Sequence, residues 1–553
     1  MGHRAIAEGH DIMNLSHATY GTWCGAAVLA LSLVLTELSA PANQSPASAD
    51  AQQCAALNSA DFEGLSDAPT RVTGARLVDV APADPQSPGS ILAASPIKQY
   101  CQVLGYVAPQ NKFELRLPLP AQWNQRFHLT PCAGFCGGVN GNACNESLAR
   151  GYASLTGNGG HDGRFGFDGL WAANSPNLQE DFAWRHNHVI TVAAKAITTK
   201  FYGQPIARSY MSGCSKGGHA VLMEAQRFPE DFDGLMAIAP VYDLTGRAMA
   251  GAWWAQAVAD TQRGSVLNGA VADVVQKSVL SRCGGQAGVD EGLVTDPVTC
   301  DWRPEMAACP VDKTASGCLT ARQVDAVKRM MKPAVNSKGE VIYAYPDIAG
   351  TATEWGGWHY GRGANPAAPA AYANHILHHQ FLTYMADATV RKDVDPLKFD
   401  FNRDPASLAR AKKLYDATSY DMRAFKGRGG KLLMWHGLSD ASIIATSSVG
   451  YYEGVEKLMG GRAQTQDFFR LFLIPGVHHC AGGPGLAEFD ALTLLENWVE
   501  KGQAPDVMIA SRKVNGVTER SRPIYPYPLL ARYSGQGDAK QASSFVPFDP
   551  KRR

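Results

Sequence analysis

The chain has 553 residues, and its 51 lysines and arginines balance its 51 aspartates and glutamates, so its formal net charge is zero. That length exceeds one compact domain and implies two, or one core carrying a large insertion. The even mixing of charge leaves no basic surface for nucleic acid or for an anionic membrane.

Residues Ala26 to Leu35 form a short apolar run, followed by Leu38-Ser39-Ala40-Pro41-Ala42 and a polar stretch. This reads as a secretory signal and linker start over residues 1–42, with cleavage near Ala40 or Ala42. The run is too short for a good membrane span, so no stable anchor is expected and the mature protein is secreted or periplasmic. Twelve cysteines suit an oxidising compartment. Cys24 leaves with the signal. Short spacings suggest the local pairs Cys54–Cys101, Cys283–Cys300 and Cys309–Cys318. Cys132, Cys136 and Cys144 form a cluster that can hold one bridge and one spare thiol; sequence alone does not fix connectivity.

Further along, Phe127 to Pro131 reads as a strand entering a Gly-rich turn, Cys132-Ala133-Gly134-Phe135-Cys136-Gly137-Gly138. Tyr152 to Leu155 is a second strand, and Trp184 to Tyr202 has helical periodicity. Ala207 to Met211 is again a strand, and Lys216 to Phe228 a helix. Leu235 to Ile238, Lys431 to Trp435 and Phe469 to Ile474 complete the buried strands. Strands alternating with helices predict an α/β fold with a mostly parallel sheet. No such alternation occurs between Pro240 and Lys431. The organisation is therefore a core over residues 54–240, an inserted domain over 241–430, and the rest of the core with a C-terminal tail over 431–553. The insertion is expected over the C-terminal edge of the sheet, where open α/β folds bind ligands.

The chemistry centres on Gly213-Cys214-Ser215-Lys216-Gly217, a G-x-S-x-G sequence between a strand and a helix. That context makes Ser215 a candidate nucleophile on a strained turn. A serine hydroxyl needs a base, and His479 follows the strand Phe469 to Ile474. His478 is its neighbour and competitor. Cys214 precedes the serine and Cys480 follows the histidine; a bond between them would hold their Cα atoms about 5.5 Å apart and bring Ser215 and His479 within reach. The orienting acid belongs between nucleophile and base in chain order, which selects Asp440, with Asp467 as the fallback. Oxyanion donors are expected from the N–H of Lys216 and from the turn at Cys132 and Ala133. Trp253, Trp254, Trp355, Trp358, His359 and Tyr360 in the insertion could wall an aromatic pocket or simply form its core. His375 and His379 lie four apart, but no glutamate follows the first as in H-E-x-x-H, so no metal site is assigned.

These motifs resemble the tannase/feruloyl esterase family of α/β-hydrolases, which includes a mono(2-hydroxyethyl) terephthalate hydrolase. The likeness rests on Gly213-Cys214-Ser215-x-Gly217-Gly218, His436-Gly437-x-x-Asp440 and His479-Cys480. It extends to Gln226-Arg227-Phe228-Pro229-x-x-Phe232-Asp233-Gly234 and to Arg522-Pro523-x-x-Pro526-Tyr527-Pro528. The resemblance implies a serine esterase with a lid, acting on small esters of aromatic acids such as gallate, hydroxycinnamates or a terephthalate monoester, with the disulfide pairs above. It also implies a calcium loop in the lid. Here Gly284 and Ala287 stand where carboxylates are expected and only Glu291 remains, too little charge for a strong hard-cation site. No cofactor is required for the chemistry. A last disulfide of the family is replaced by Tyr525 and Pro547.

Overall fold

The computed structural model describes residues 48–79, 99–285, 291–310, 317–361, 372–514 and 516–550. The expected signal segment lies outside them. Among the described residues, no helix is long and apolar enough to cross a membrane.

Seven strands lead up to the insertion: β1 (Thr70–Val78), β2 (Tyr100–Val107), β3 (Asn111–Pro118), β4 (Arg126–Leu129), β5 (Ala153–Gly157), β6 (Arg208–Cys214) and β7 (Gly234–Ile238). A small hairpin, β8 (Ala334–Val335) and β9 (Val341–Tyr343), lies within the insertion. The chain then returns through β10 (Lys431–Gly437) and β11 (Phe469–Ile474). The main sheet has nine strands in the order β1-β2-β3-β5-β4-β6-β7-β10-β11. Pairing is parallel from β5 through β4, β6, β7 and β10 to β11. It is antiparallel among β1, β2, β3 and β5. The parallel strands are those expected from the sequence; the antiparallel β1 to β3 are additional to them.

Both faces of the parallel part are covered, as such sheets require. Along β10, Leu432 and Met434 pack with the helices His186–Tyr202 and Lys216–Arg227, while Leu433 and Trp435 join the opposite cluster with Leu492 and Leu495 of the helix Ala491–Lys501. The period of two along the strand thus supplies both layers. Cys54 is bonded to Cys101, tying the first helix, Ala49–Ala55, to β2.

Residues of the insertion build their own apolar cluster, including Trp254, Trp355, Tyr372, Phe381, Met385 and Tyr415. Phe135, Phe182, Ala441, Ile443 and Ile444 belong to the same cluster although they come from the core segments. Cys283–Cys300 and Cys309–Cys318 are bonded within the insertion. Beyond the sheet, two C-terminal hairpins complete the chain: β12 (Met508–Val514) with β13 (Val517–Ile524), and β14 (Leu530–Tyr533) with β15 (Phe545–Phe548).

Candidate active site

Strand β6 ends at Cys214, and Ser215 turns into the helix Lys216–Arg227 with φ 61° and ψ −119°. That is a disfavoured backbone region for any residue with a side chain, costing about 1–3 kcal/mol and held in place by its surroundings. Ser215 N donates to Ile238 O at 2.9 Å, and Ser215 O accepts from His219 N at 2.9 Å. Gly213 is required sterically. A Cβ on Gly213 would lie 2.6 Å from the Gly217 carbonyl carbon and 2.7 Å from Pro131 Cγ.

The same crowding locates the oxyanion candidates. A Cβ on Gly217 would meet Pro131 Cγ at 3.3 Å and Cys132 O at 3.4 Å, so the Cys132–Ala133 turn lies against the start of the helix. Cys132 is bonded to Cys136, which closes the turn, and Cys144 is left as a buried free thiol. Burial pushes that thiol up to about 12. Lys216 opens the helix, where the first backbone N–H groups have no intrahelical acceptor. Its buried side chain turns away, with Nζ 4.5 Å from the centre of the Phe182 ring; burial lowers the amine to about 7.

Cys214 and Cys480 are bonded, with Cα atoms 5.8 Å apart, which brings the neighbours of Ser215 and His479 side by side. The loops after β10 and β11 are pressed together as well: a Cβ on Gly437 would lie 2.2 Å from Val477 O, and Ser439 N donates to that carbonyl at 3.0 Å. As a result Asp440 Oδ2 lies 2.7 Å from His479 Nδ1. Asp440 Oδ1 accepts from Ser442 N and Ile443 N, each at 2.8 Å. His436 Nε2 lies 2.7 Å from Ile443 O and 3.1 Å from Asp440 Oδ2. Because a carbonyl only accepts, that nitrogen carries the proton, and Nδ1 accepts from Ser448 Oγ at 2.8 Å. Burial acts to raise the Asp440 carboxyl, but His479 and His436 outweigh it and hold the group well below the usual carboxylate range. The reverse holds at His479. Burial acts to lower the imidazole, and Asp440 with Glu354 raises it above the ordinary value. His478 points elsewhere, with Nε2 2.8 Å from Thr353 Oγ1. Asp467 is exposed and precedes β11, at the opposite end of that strand from His479.

Two buried groups from the insertion reach these loops and carried no local signal in the sequence. Glu354 Oε1 accepts from His479 N at 3.0 Å, and Oε2 accepts from Ala441 N at 2.8 Å. Burial and the charge of Asp440 raise its carboxyl to about 7. Arg247 Nε donates to Ser442 O at 2.6 Å, and Nη2 donates to Asn374 Oδ1 at 2.5 Å. Among the six aromatic candidates, Trp358 meets His479 edge-on, with ring centres 5.7 Å apart, and packs against Phe167 at 6.5 Å. Trp254, Trp355 and His359 are buried core. Trp253 Nε1 donates to Arg329 O at 3.0 Å. Cys214, Cys480, Ala133, Ser212, Trp435 and Phe489 lie on the wall of a cavity of about 620 Å³.

Residues 286–290 of the expected calcium loop lie outside the described residues. Glu291 is described, and it does not fit a cation ligand: Arg520 Nη1 holds its carboxylate at 2.9 Å and Arg522 makes a second ion pair with the same oxygen. Tyr525 and Pro547, standing where a further disulfide was expected, line one surface cavity.

A family model described as tannase and feruloyl esterase matches residues 95–547. The mono(2-hydroxyethyl) terephthalate hydrolase of Piscinibacter sakaiensis is 31% identical over 550 residues, covering 86% of this chain and 89% of that protein. A probable feruloyl esterase of Arthroderma benhamiae is 30% identical over 492 residues, covering 85% and 89%. Feruloyl esterase B from Aspergillus oryzae superposes with a TM-score of 0.77 at 24% identity, covering 90% of this chain and all of that one. A tannin acyl hydrolase from Aspergillus niger gives 0.70 at 18% identity, covering 91% and 95%. With the elbow, the paired loops and the sheet order already in place, these matches identify the chain as a carboxylic ester hydrolase of the tannase and feruloyl esterase family, built on an α/β-hydrolase core.

Proposed function

We propose that this chain is a secreted serine esterase that cleaves esters of aromatic acids of the feruloyl, galloyl or terephthaloyl type. The observation that carries this reading is the 2.7 Å contact between His479 Nδ1 and Asp440, on a histidine whose neighbour is bonded to the neighbour of Ser215. With Nδ1 donating to Asp440, Nε2 is left to take the proton of Ser215 as its oxygen attacks the ester carbonyl. Backbone N–H groups of Lys216 and of the Cys132–Ala133 turn stabilise the tetrahedral oxyanion. His479 then protonates the leaving alcohol, and water repeats the sequence on the acyl-enzyme.

Substrate class follows from two supports. The relatives are named for feruloyl and terephthaloyl esters. The insertion, read here as a lid over residues 241–430, sets Trp358 against the catalytic imidazole, where an aromatic acyl group can stack. Five disulfides in the described residues support an oxidising compartment, in line with the signal-like N-terminal segment. The test is turnover of methyl ferulate, methyl gallate and mono(2-hydroxyethyl) terephthalate against aliphatic esters and a peptide amide, with Ser215→Ala as control. The aromatic esters are expected to lead by about tenfold or more in kcat/KM, and the variant to lose all turnover while remaining folded. Unchanged hydrolysis by Ser215→Ala, or a preference for aliphatic esters, refutes the reading.

A further inference from the structure

Glu354 is a glutamate from the insertion, 7% exposed, whose two oxygens accept from backbones on two different catalytic loops. One donor is His479 itself, and the other is Ala441, directly after the orienting acid. Asp440, the other carboxylate at these loops, is already engaged by His479, His436, Ser442 and Ile443. Backbone donors make the contact independent of the side chains at 441 and 479. The bonds therefore fix the separation of the two loops and not merely the rotamer of one residue.

We propose that Glu354 is a positioning residue for ester hydrolysis: its carboxylate clamps the loops of the acid and the base together and places a second negative charge behind the imidazolium. The inference rests on the serine-esterase reading above. When His479 accepts the proton of Ser215, positive charge appears beside Asp440, and Asp440, joined by Glu354 once its carboxyl is ionised above about pH 7, favours it. Arg247, reaching the same loop from the helix Leu244–Val258, acts in the opposite sense. Other ionisable groups near this segment are His436, which contacts Asp440, His478, which contacts Thr353, and Asp347, which accepts from Thr351 and Trp355. Because the insertion supplies Glu354, competence of the base depends on the insertion being seated. An enzyme with a displaced lid keeps Ser215, Asp440 and His479 but loses their alignment.

The test compares Glu354→Gln and Glu354→Asp with the unaltered enzyme, using methyl ferulate and normalising each rate to sites titrated with a fluorophosphonate. Glutamine keeps the size but removes the charge and presents an N–H₂ to one of the two donors. It is expected to lower kcat about 10–100-fold with KM within about threefold, and to move the acid limb of kcat/KM to lower pH by about half a unit or more. Aspartate keeps the charge but is too short to bridge both donors, so kcat falls while the acid limb stays near that of the unaltered enzyme. An unmoved acid limb in Glu354→Gln, whether or not the rate drops, overturns the proposal, because a merely structural role leaves the base's titration unchanged. Should Glu354→Gln yield no titratable sites, an unreduced kcat in Glu354→Asp overturns it and a reduced one supports it. Hydrolysis surviving in Ser215→Ala strikes the serine-esterase reading; a Ser215-dependent activity indifferent to position 354 strikes this inference alone.

Discussion

Removing the bond between Cys214 and Cys480 should lower activity sharply while leaving the chain folded. The bond closes a loop with a sequence separation of 266. The chain-entropy model gives about 5–6 kcal/mol for a loop of that size, and measured effects fall below it, so about 4 kcal/mol is a working figure. At about 2.1 cal/mol/K per residue, a chain of 553 residues has an unfolding entropy near 1.2 kcal/mol/K, so Tm drops only about 3–4 °C. The double variant Cys214→Ala/Cys480→Ala therefore stays folded at 25 °C. The active geometry has less slack. Misplacing a reacting group by about 1 Å can cost about 100-fold, and His479 is still held by Asp440 and Glu354. A fall in kcat of about 10–100-fold with KM nearly unchanged is expected. Steady-state hydrolysis of methyl ferulate, alongside a thermal melt, measures both. Dithiothreitol treatment of the unaltered enzyme should act in the same direction, because both cysteines lie on the wall of the 620 Å³ cavity. Retention of kcat within about twofold by the folded double variant would refute the idea that the bond acts as a brace.

Asp440→Asn should lower kcat by about 10⁴-fold, because an amide no longer selects the His479 tautomer with Nδ1 protonated; Asp467→Asn, at the far end of β11, should leave the rate unchanged in the same assay. Chelation with EDTA should change neither activity nor Tm. Glu291→Gln, in contrast, leaves Arg520 and Arg522 facing an uncharged partner and should cost about 1–3 kcal/mol, read as a small drop in Tm.

The candidate site was legible because its parts are local and sterically demanding. A Cβ on Gly213 would collide with Gly217 across the elbow, so the motif tolerates no side chain at that position, and β7, β10 and β11 each carry a mostly apolar run. β1 to β3 were not readable for the opposite reason. Glu114 and Arg116 on β3 are buried against one another at 2.7 Å, yet in sequence they look like solvent-facing charges. Glu354 was equally hidden. It lies 87 and 125 residues from the donors it accepts, so nothing near it in the chain marks it. The aromatics of the insertion carried no way of separating Trp355, which is core, from Trp358, which meets the His479 ring. Three residues apart, they differ only in what the rest of the fold lays over them.

The shared apolar cluster of the insertion also sets a rule for recombination. Ala441, Ile443 and Ile444 follow Asp440 in sequence but pack with Trp254, Phe381 and Tyr415 of the insertion. A chimera that exchanges residues 241–430 for those of a relative leaves these three side chains against a foreign surface, one to four residues from Asp440. Transplanting specificity between members of the family therefore calls for moving 441–444 with the inserted segment, so that the acid's loop arrives with the packing that shaped it.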